Sequence, residues 1–231
     1  MGSSRRSRLA AGHLPQGIRL LHEDAHILVV NKPAGLLSMG TDANKTRTVY
    51  AVLTDYVRKG DRKSRKRIFI VHRLDRDTSG ILVFAKSGEM KRRLQDGWQD
   101  VEKRYLAVVE GVPKKPSGME ACYLAENSAH IVYATSDRGI GKLARTVWRV
   151  LESHGNRSLL ELQLLTGRKH QIRVHLSDMG HPILGDRVYG HHRDARRGLA
   201  LHAFSLSFMH PDSGERVTFE ANAPDALMQL R

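Results

Sequence analysis

Residues 70–87 read IVHRLDRDTSGILVFAKS. Ile68–Val71 and Gly80–Ala85 are short, β-branched apolar runs that predict strands, and Ser87 closes the second. Between them lies a polar loop, residues 72–79, carrying His72, Arg73, Asp75 and Asp77. A loop gripped at both ends by a sheet can fix a carboxylate in a cleft, and such loops are where function concentrates. Taken singly, an Asp in this setting is ordinarily a turn former, with Thr78-Ser79-Gly80 ending the turn.

Working outward, residues 20–36 (LLHEDAHILVVNKPAGL) predict two strands around a Glu23-Asp24 turn, stopped by Pro33 and Gly35. Thr48 can cap a helix in which Val49, Val52, Leu53, Tyr56 and Val57 recur at helical spacing. Ser87 can cap another through Met90 and Leu94 to Trp98. Downstream, Tyr105–Glu110 predicts a strand, 113–118 a loop, and Thr146–Leu151 with Leu159–Leu165 a hairpin. Residues 167–179 predict a helix entry and helix, with Ile172, Leu176 and Met179 on one side and Gly180 at its end. Residues 199–211 predict a strand, followed by a turn and a final strand. Regular strand–helix alternation is missing. The expectation is an α+β domain on a mixed, mainly antiparallel sheet with flanking helices and loops around a central basic cleft.

The chain has 231 residues, one domain's worth, with no linker or internal repeat to divide it. Its 38 Lys and Arg exceed its 24 Asp and Glu by 14, and the pI of about 10.3 points to a polyanionic partner. No apolar run approaches the ~20 residues a membrane span needs, and the first residues hold no secretory core. The single cysteine, Cys122, excludes an internal disulfide framework and a cysteine zinc site. A cytoplasmic protein is expected. Residues 1–14, with Arg5, Arg6 and Arg8, suggest a flexible basic arm, and seven of the ten residues 58–67 are basic.

Several generic chemistries fail. A kinase loop is excluded by the Leu74 inserted after His72-Arg73 and by the missing glycine-rich and Asp-Phe-Gly segments. Asp75 and Asp77 are two apart and point opposite ways in an extended segment, unlike a glycosidase pair. No phosphate loop is present, and Gly139–Gly141 alone is a weak signal. His170 and His175 fall on different helix faces, against a zinc pair. His191-His192 suggests a solvated loop.

The motif His72-Arg73-Leu74-Asp75 with Asp77-Thr78-Ser79-Gly80 resembles the signature loop of the RNA pseudouridine synthases of the large-subunit ribosomal A type. The resemblance continues in order through NKPAGL (31–36), KRYLAVVEG (103–111), TGRKHQIRVHL (166–176), ILGDRVYG (183–190) and LALHAFSLSFMHP (199–211), covering roughly residues 18–225. It implies the pseudouridine synthase fold, a catalytic domain over 15–231, and a reaction without a cofactor or metal. In that reaction the N-glycosidic bond of a uridine breaks, the base turns, and it rejoins the ribose through carbon. The small RNA-binding module that often precedes this domain has no room before the first strand, which leaves RNA affinity to the domain itself.

By resemblance, Asp75 is the essential carboxylate. It attacks the sugar, attacks the ring, or removes a ribose proton to give a glycal; the sequence leaves these open. Arg173 is expected to pair with Asp75, since an arginine fork suits a carboxylate. Tyr105 is expected to stack on uracil and to take part in proton transfer at C5. A stacked base must be extruded before it can react; Arg73 is the expected wedge, with His72 beside it shaping the loop. Gly167 and Arg168 are expected near the RNA backbone. Arg62, Lys63, Arg65, Lys66 and Arg67, in the basic run, are the expected phosphate contacts. Leu74, Thr78, Ser79, Gly80, Leu201 and His202 are expected to support the loop and pocket, Thr78 and Ser79 by bonding the loop backbone.

The implied partner is RNA, a ribosomal or transfer RNA stem-loop, bound by a monomer with no membrane and no obligate protein partner. A competing reading is an inactive RNA-binding or assembly protein of the same fold. Such a protein would be free to lose Asp75, Tyr105 or Arg173, and all three are present. A DNA-binding regulator would need a helix-turn-helix or zinc-finger pattern, which the sequence lacks.

Overall fold

A computed structural model of the chain describes residues 12–40, 46–61, 63–191 and 198–228. Residues 1–11 of the expected arm, together with Arg62 and His192, lie outside the described residues. Gly12–Leu14, the end of that arm, lie along the first strand: the Leu20 N–H donates to the Gly12 carbonyl at 2.9 Å, and Leu14 packs into the core.

The strands are β1 (Arg19–Glu23), β2 (Ile27–Lys32), β3 (Phe69–Ile70), β4 (Ser79–Ala85), β5 (Glu102–Glu110), β6 (Ser117–Glu126), β7 (Val132–Thr135), β8 (Lys142–His154), β9 (Arg157–Leu164), β10 (Leu201–Met209) and β11 (Arg216–Glu220). The helices are α1 (Val49–Arg58), α2 (Gly88–Asp96), α3 (Gln171–Asp178) and α4 (Asp225–Met228). All strands join one sheet in the order β1-β2-β4-β10-β5-β9-β8-β6-β7, with β11 on β10 and β3 on β4. Among the described strands only β4 and β10 pair in parallel, so the sheet is mixed and mainly antiparallel, as expected.

Burial explains the two kinds of strand. Ile27, Val29, Ile81 and Val83 pack with Met90 and Leu94 of α2, while Leu28, Val30, Leu82 and Phe84 pack with Val49 and Leu53 of α1. β2 and β4 are therefore covered on both faces, and their sequences are continuously apolar. On β8, Ala144, Thr146 and Trp148 are buried while Leu143, Arg145, Val147 and Arg149 face out, the alternation of a strand covered on one side. The side chains of Thr48 and Ser87 cap α1 and α2, accepting the N–H of Ala51 and of Met90.

Several elements differ from expectation. β6 begins inside the expected loop 113–118, and it carries Gly, Ala, Ser and Glu rather than a strand-forming composition. Pairing with β8 on one side of β6 and β7 on the other makes the strand. The helix entry expected from residue 167 is a turn through His170, and the helix itself spans Gln171–Asp178. The helix expected to reach Trp98 stops at Asp96, and Trp98–Asp100 form a separate 3-10 turn.

The register that matters for the site runs across the sheet centre. Gly80 of β4 lies beside Ala203 of β10, which lies opposite Tyr105 of β5. Gly80 has φ +121°, and a Cβ there would sit 2.3 Å from the Ala203 carbonyl oxygen. Only glycine lets the polar loop enter β4 at this close approach.

Candidate active site

The loop 72–78 leaves β3 and enters β4, and it is pinned on both sides of Asp75. Before it, Leu74 is buried against the α1 cluster, and the Ser38 hydroxyl accepts the Leu74 N–H at 3.1 Å and donates to the Leu74 carbonyl at 2.8 Å. After it, the Arg76 carbonyl accepts the Gly35 N–H at 2.9 Å and the Lys32 ammonium at 2.9 Å. Lys32 is fully buried and also donates to the Pro33 and Leu36 carbonyls, at 3.0 and 2.8 Å. Burial pulls its pKa down to about 8, opposed by the charges of Asp77 and Asp75. The Thr78 N–H closes the turn on the Asp75 carbonyl at 3.2 Å. Asp75 is thus a partly exposed residue held between backbone groups tied down on both sides.

Asp75 opens into a cleft of about 650 Å³ that Tyr105, Arg173, His170, Arg73, Arg168 and Leu201 also line. Its Oδ2 stands 3.5 Å from Arg173 Nη1 and 3.8 Å from His170 Nε2. Arg173 meets Asp75, as expected, but its tight partner is another residue. Nε and Nη2 donate to the Asp186 carboxylate at 2.7 and 2.8 Å, a bidentate fork on a side chain that is 1% exposed. Asp186 also accepts the N–H groups of Val188 and Tyr189. Burial pushes the Asp186 carboxyl up, but Arg173 and these two N–H groups outweigh it and hold it below the ordinary range. Asp186 keeps the guanidinium charged at the cleft edge, with Nη1 left over for Asp75.

Tyr105 is half-buried on β5. Burial first, and the Asp75 charge second, raise its phenol well above its ordinary value, so it stays protonated. His72 stacks on Trp98 with ring centroids 4.7 Å apart, and its Nε2 accepts the Val83 N–H at 3.1 Å. Burial, aided by the Lys103 charge, lowers its pKa to about 3, so the ring is neutral and ties the loop to β4.

The support residues divide. The Ser79 hydroxyl reaches the His202 ring at 2.8 Å, away from the loop backbone where it was expected, because Ser79 already belongs to β4 and faces β10. His202 is fully buried; its Nε2 donates to the Ala221 carbonyl at 3.1 Å, so Nδ1 accepts from Ser79, and it supports the pocket without lining it. Thr78 and Leu201 line the cleft. Arg73 and Arg168 are exposed there, the latter bonded through Nε to the Leu143 carbonyl at 3.1 Å. Gln171 was not expected. Its buried amide accepts from Thr166 and the Arg168 N–H and donates to Arg145 and Thr146, fixing the turn that carries Gly167 to His170.

The basic run lies elsewhere. Arg65, Lys66 and Arg67 line a second recess, of about 720 Å³, with Lys59, Lys86 and Phe69. Phe69 and Ile70 are consecutive on β3 and face different cavities, which separates this recess from the Asp75 cleft. Lys63 is exposed and lines neither.

The family model described as RNA pseudouridylate synthase matches residues 26–178. Ribosomal large subunit pseudouridine synthase D of Zymomonas mobilis is 38% identical over 231 aligned residues, spanning 94% of this chain and 73% of that protein. The protein of the same name from Neisseria meningitidis serogroup A is 38% identical over 94% of this chain and 61% of its own length. The chain therefore spans between three-fifths and three-quarters of these relatives. Among solved structures, human RNA pseudouridylate synthase domain containing 4 superposes with a TM-score of 0.74 at 26% identity, covering 91% of this chain and 90% of that one.

Proposed function

The chain belongs to the RNA pseudouridylate synthase family, and on that premise we infer that the Asp75 cleft isomerises uridines of large-subunit ribosomal RNA. The observation that carries this is the pinned loop, which holds one carboxylate beside a buried guanidinium and opposite a protonated phenol. Asp75 supplies the anionic oxygen that acts on the ribose or the uracil ring. Arg173 faces that carboxylate with Nη1, 3.5 Å from Oδ2, and orients it towards the substrate. Tyr105 lies under the everted base and offers an O–H near C5. Arg73, exposed at the cleft mouth, fills the gap in the RNA stack that the flipped nucleotide leaves. Supporting an RNA ligand, seven basic side chains line the cleft (Arg73, Arg76, Lys91, Lys103, Arg168, Lys169 and Arg173) against one carboxylate, Asp75. Arg65, Lys66 and Arg67 extend the phosphate-binding surface into the second recess.

One copy supplies Asp75, Tyr105 and Arg173 to the same cleft, so the reaction needs no second copy and a monomer suffices. Action on ribosomal RNA would place the chain in the cytoplasm. Among the described residues no helix is long and apolar enough to cross a membrane.

Forming the carbon–carbon bond releases the C5 hydrogen of uracil, so tritium released from RNA labelled at C5 of uridine counts turnover. Asp75→Asn is expected to abolish release from a large-subunit rRNA transcript while RNA binding survives. Substantial release by this variant overturns the assignment of Asp75.

A further inference from the structure

His170 precedes α3 with φ +53°, in the left-handed region that a non-glycine residue keeps only when its surroundings impose it. Here the Gln171 amide fixes the turn and Tyr189 fixes the ring. The two rings meet edge-on with centroids 5.6 Å apart, and His170 Nδ1 stands 2.8 Å from the Tyr189 hydroxyl. That hydroxyl oxygen already accepts the Val132 N–H at 3.1 Å. Its own proton is then directed at His170 Nδ1, and an imidazole accepting at Nδ1 carries its hydrogen on Nε2. The opposite tautomer would leave the Tyr189 proton without an acceptor and turn a lone pair towards a carboxylate. Nε2 faces Asp75 Oδ2, the same oxygen that Arg173 Nη1 approaches.

We infer that His170, set by Tyr189 and the Val132 N–H, is a positioning residue for Asp75: with Arg173 it holds Oδ2 and leaves Oδ1 as the oxygen that meets the substrate. The inference rests on the proposed reaction. The 3.8 Å separation is longer than a hydrogen bond; hydrogen bonds at catalytic groups commonly tighten when substrate closes the site. Asp75, Arg173, Lys169, Asp186 and Tyr189 face the imidazole. Burial, with the charges of Arg173 and Lys169, outweighs the pull of Asp75 and Asp186 and keeps it below its ordinary value of 6.5. Near neutral pH it is an uncharged donor. Protonation puts hydrogen on Nδ1 as well, which breaks the bond from Tyr189 and adds a second cation beside Asp75.

The test uses the full chain, a large-subunit rRNA transcript tritiated at C5 of uridine, single-turnover release and filter binding. His170→Ala is expected to slow release between about 10-fold and 100-fold, with RNA affinity changed less than about 3-fold, the pattern of a misplaced reacting group. His170→Gln, whose amide can place an N–H where Nε2 stands, is expected to recover most of that rate. It should also lose the acid limb that protonation of His170 is expected to give the wild type below its ordinary value of 6.5. Tyr189→Phe, which removes the proton donated to Nδ1, should fall between wild type and His170→Ala. If His170→Ala does not fold, the glutamine and phenylalanine variants carry the test. A folded His170→Ala with wild-type release, or a His170→Gln that keeps the acid limb, overturns the inference. A wild-type chain that releases no tritium overturns the proposed reaction, and this inference with it.

Discussion

Replacing Asp186 by Asn keeps the shape of a buried side chain and removes its charge. Arg173 then loses its bidentate partner while remaining almost wholly inside the protein. Breaking one side of a buried ion pair costs about 3–5 kcal/mol, because the surviving charge is left uncompensated. Asp75 offers partial relief at 3.5 Å, where the attraction at an effective dielectric of 20 is of order 5 kcal/mol before desolvation. The guanidinium is expected to turn towards Asp75, leaving a net loss near the lower bound, about 3 kcal/mol. For a chain of this size that lowers the melting temperature by about 6–12 °C. The same turn engages both Asp75 oxygens, so tritium release should fall at least about 10-fold while RNA affinity holds. Circular dichroism melting and single-turnover release measure the two effects. The double variant Arg173→Met with Asp186→Asn separates them: both charges go while the Asn oxygen still accepts the Val188 and Tyr189 N–H groups, so melting should recover and turnover should not. A melting point for Asp186→Asn within about 2 °C of wild type, with normal turnover, refutes the reasoning.

The carboxyls of Asp186, Asp24 and Glu23 are all held below their ordinary values in the folded chain. Such groups add stability that is full above the unfolded pKa, near 3.8 for Asp, and is lost as pH falls through the folded pKa. Urea unfolding should therefore show the gap between wild type and Asp186→Asn constant from pH 7 to about pH 4 and narrowing below it; a gap that stays constant to pH 3 excludes this origin. Gly80→Ala forces a Cβ onto the Ala203 backbone at a positive φ. It should cost more than about 3 kcal/mol or prevent folding, and a melting curve like the wild type's rules out the close approach. Neutralising Arg65, Lys66 and Arg67 together should weaken RNA binding and reduce the slope of log affinity against log salt by up to about 2–3. An unchanged slope removes the second recess from the RNA-binding surface.

The sheet was legible wherever one strand's own residues decide it. The unbroken apolar runs of β2 and β4 and the capped starts of α1 and α2 are local signals. β6 was not legible, since Ser117–Glu126 become a strand only between β7 and β8. The same division holds in the cleft. Asp75, Tyr105 and Arg173 stand in motifs whose resemblance to a known family marks them. Ser38 and Lys32 hold the loop through bonds to residues 36 and 44 positions away, which no spacing along the chain announces. Asp186 lies in a quoted block, but its carboxylate could as well have faced solvent; its bond to Arg173 exists only in the folded chain. Helical spacing speaks only against His170 as a zinc ligand; in the folded chain it lies outside the helix, in a left-handed turn that its neighbours in sequence do not announce.

β10 is made late and sits in the middle. It lies between β4 and β5, and through Ala203 it separates Gly80, at the end of the Asp75 loop, from Tyr105. A growing polypeptide stopped before residue 200 has therefore already exposed nearly all of its positive charge to surrounding RNA, yet has nothing to join its two half-sheets. Grip on RNA can precede chemistry during synthesis, and uridine conversion waits for a plank inserted at the centre.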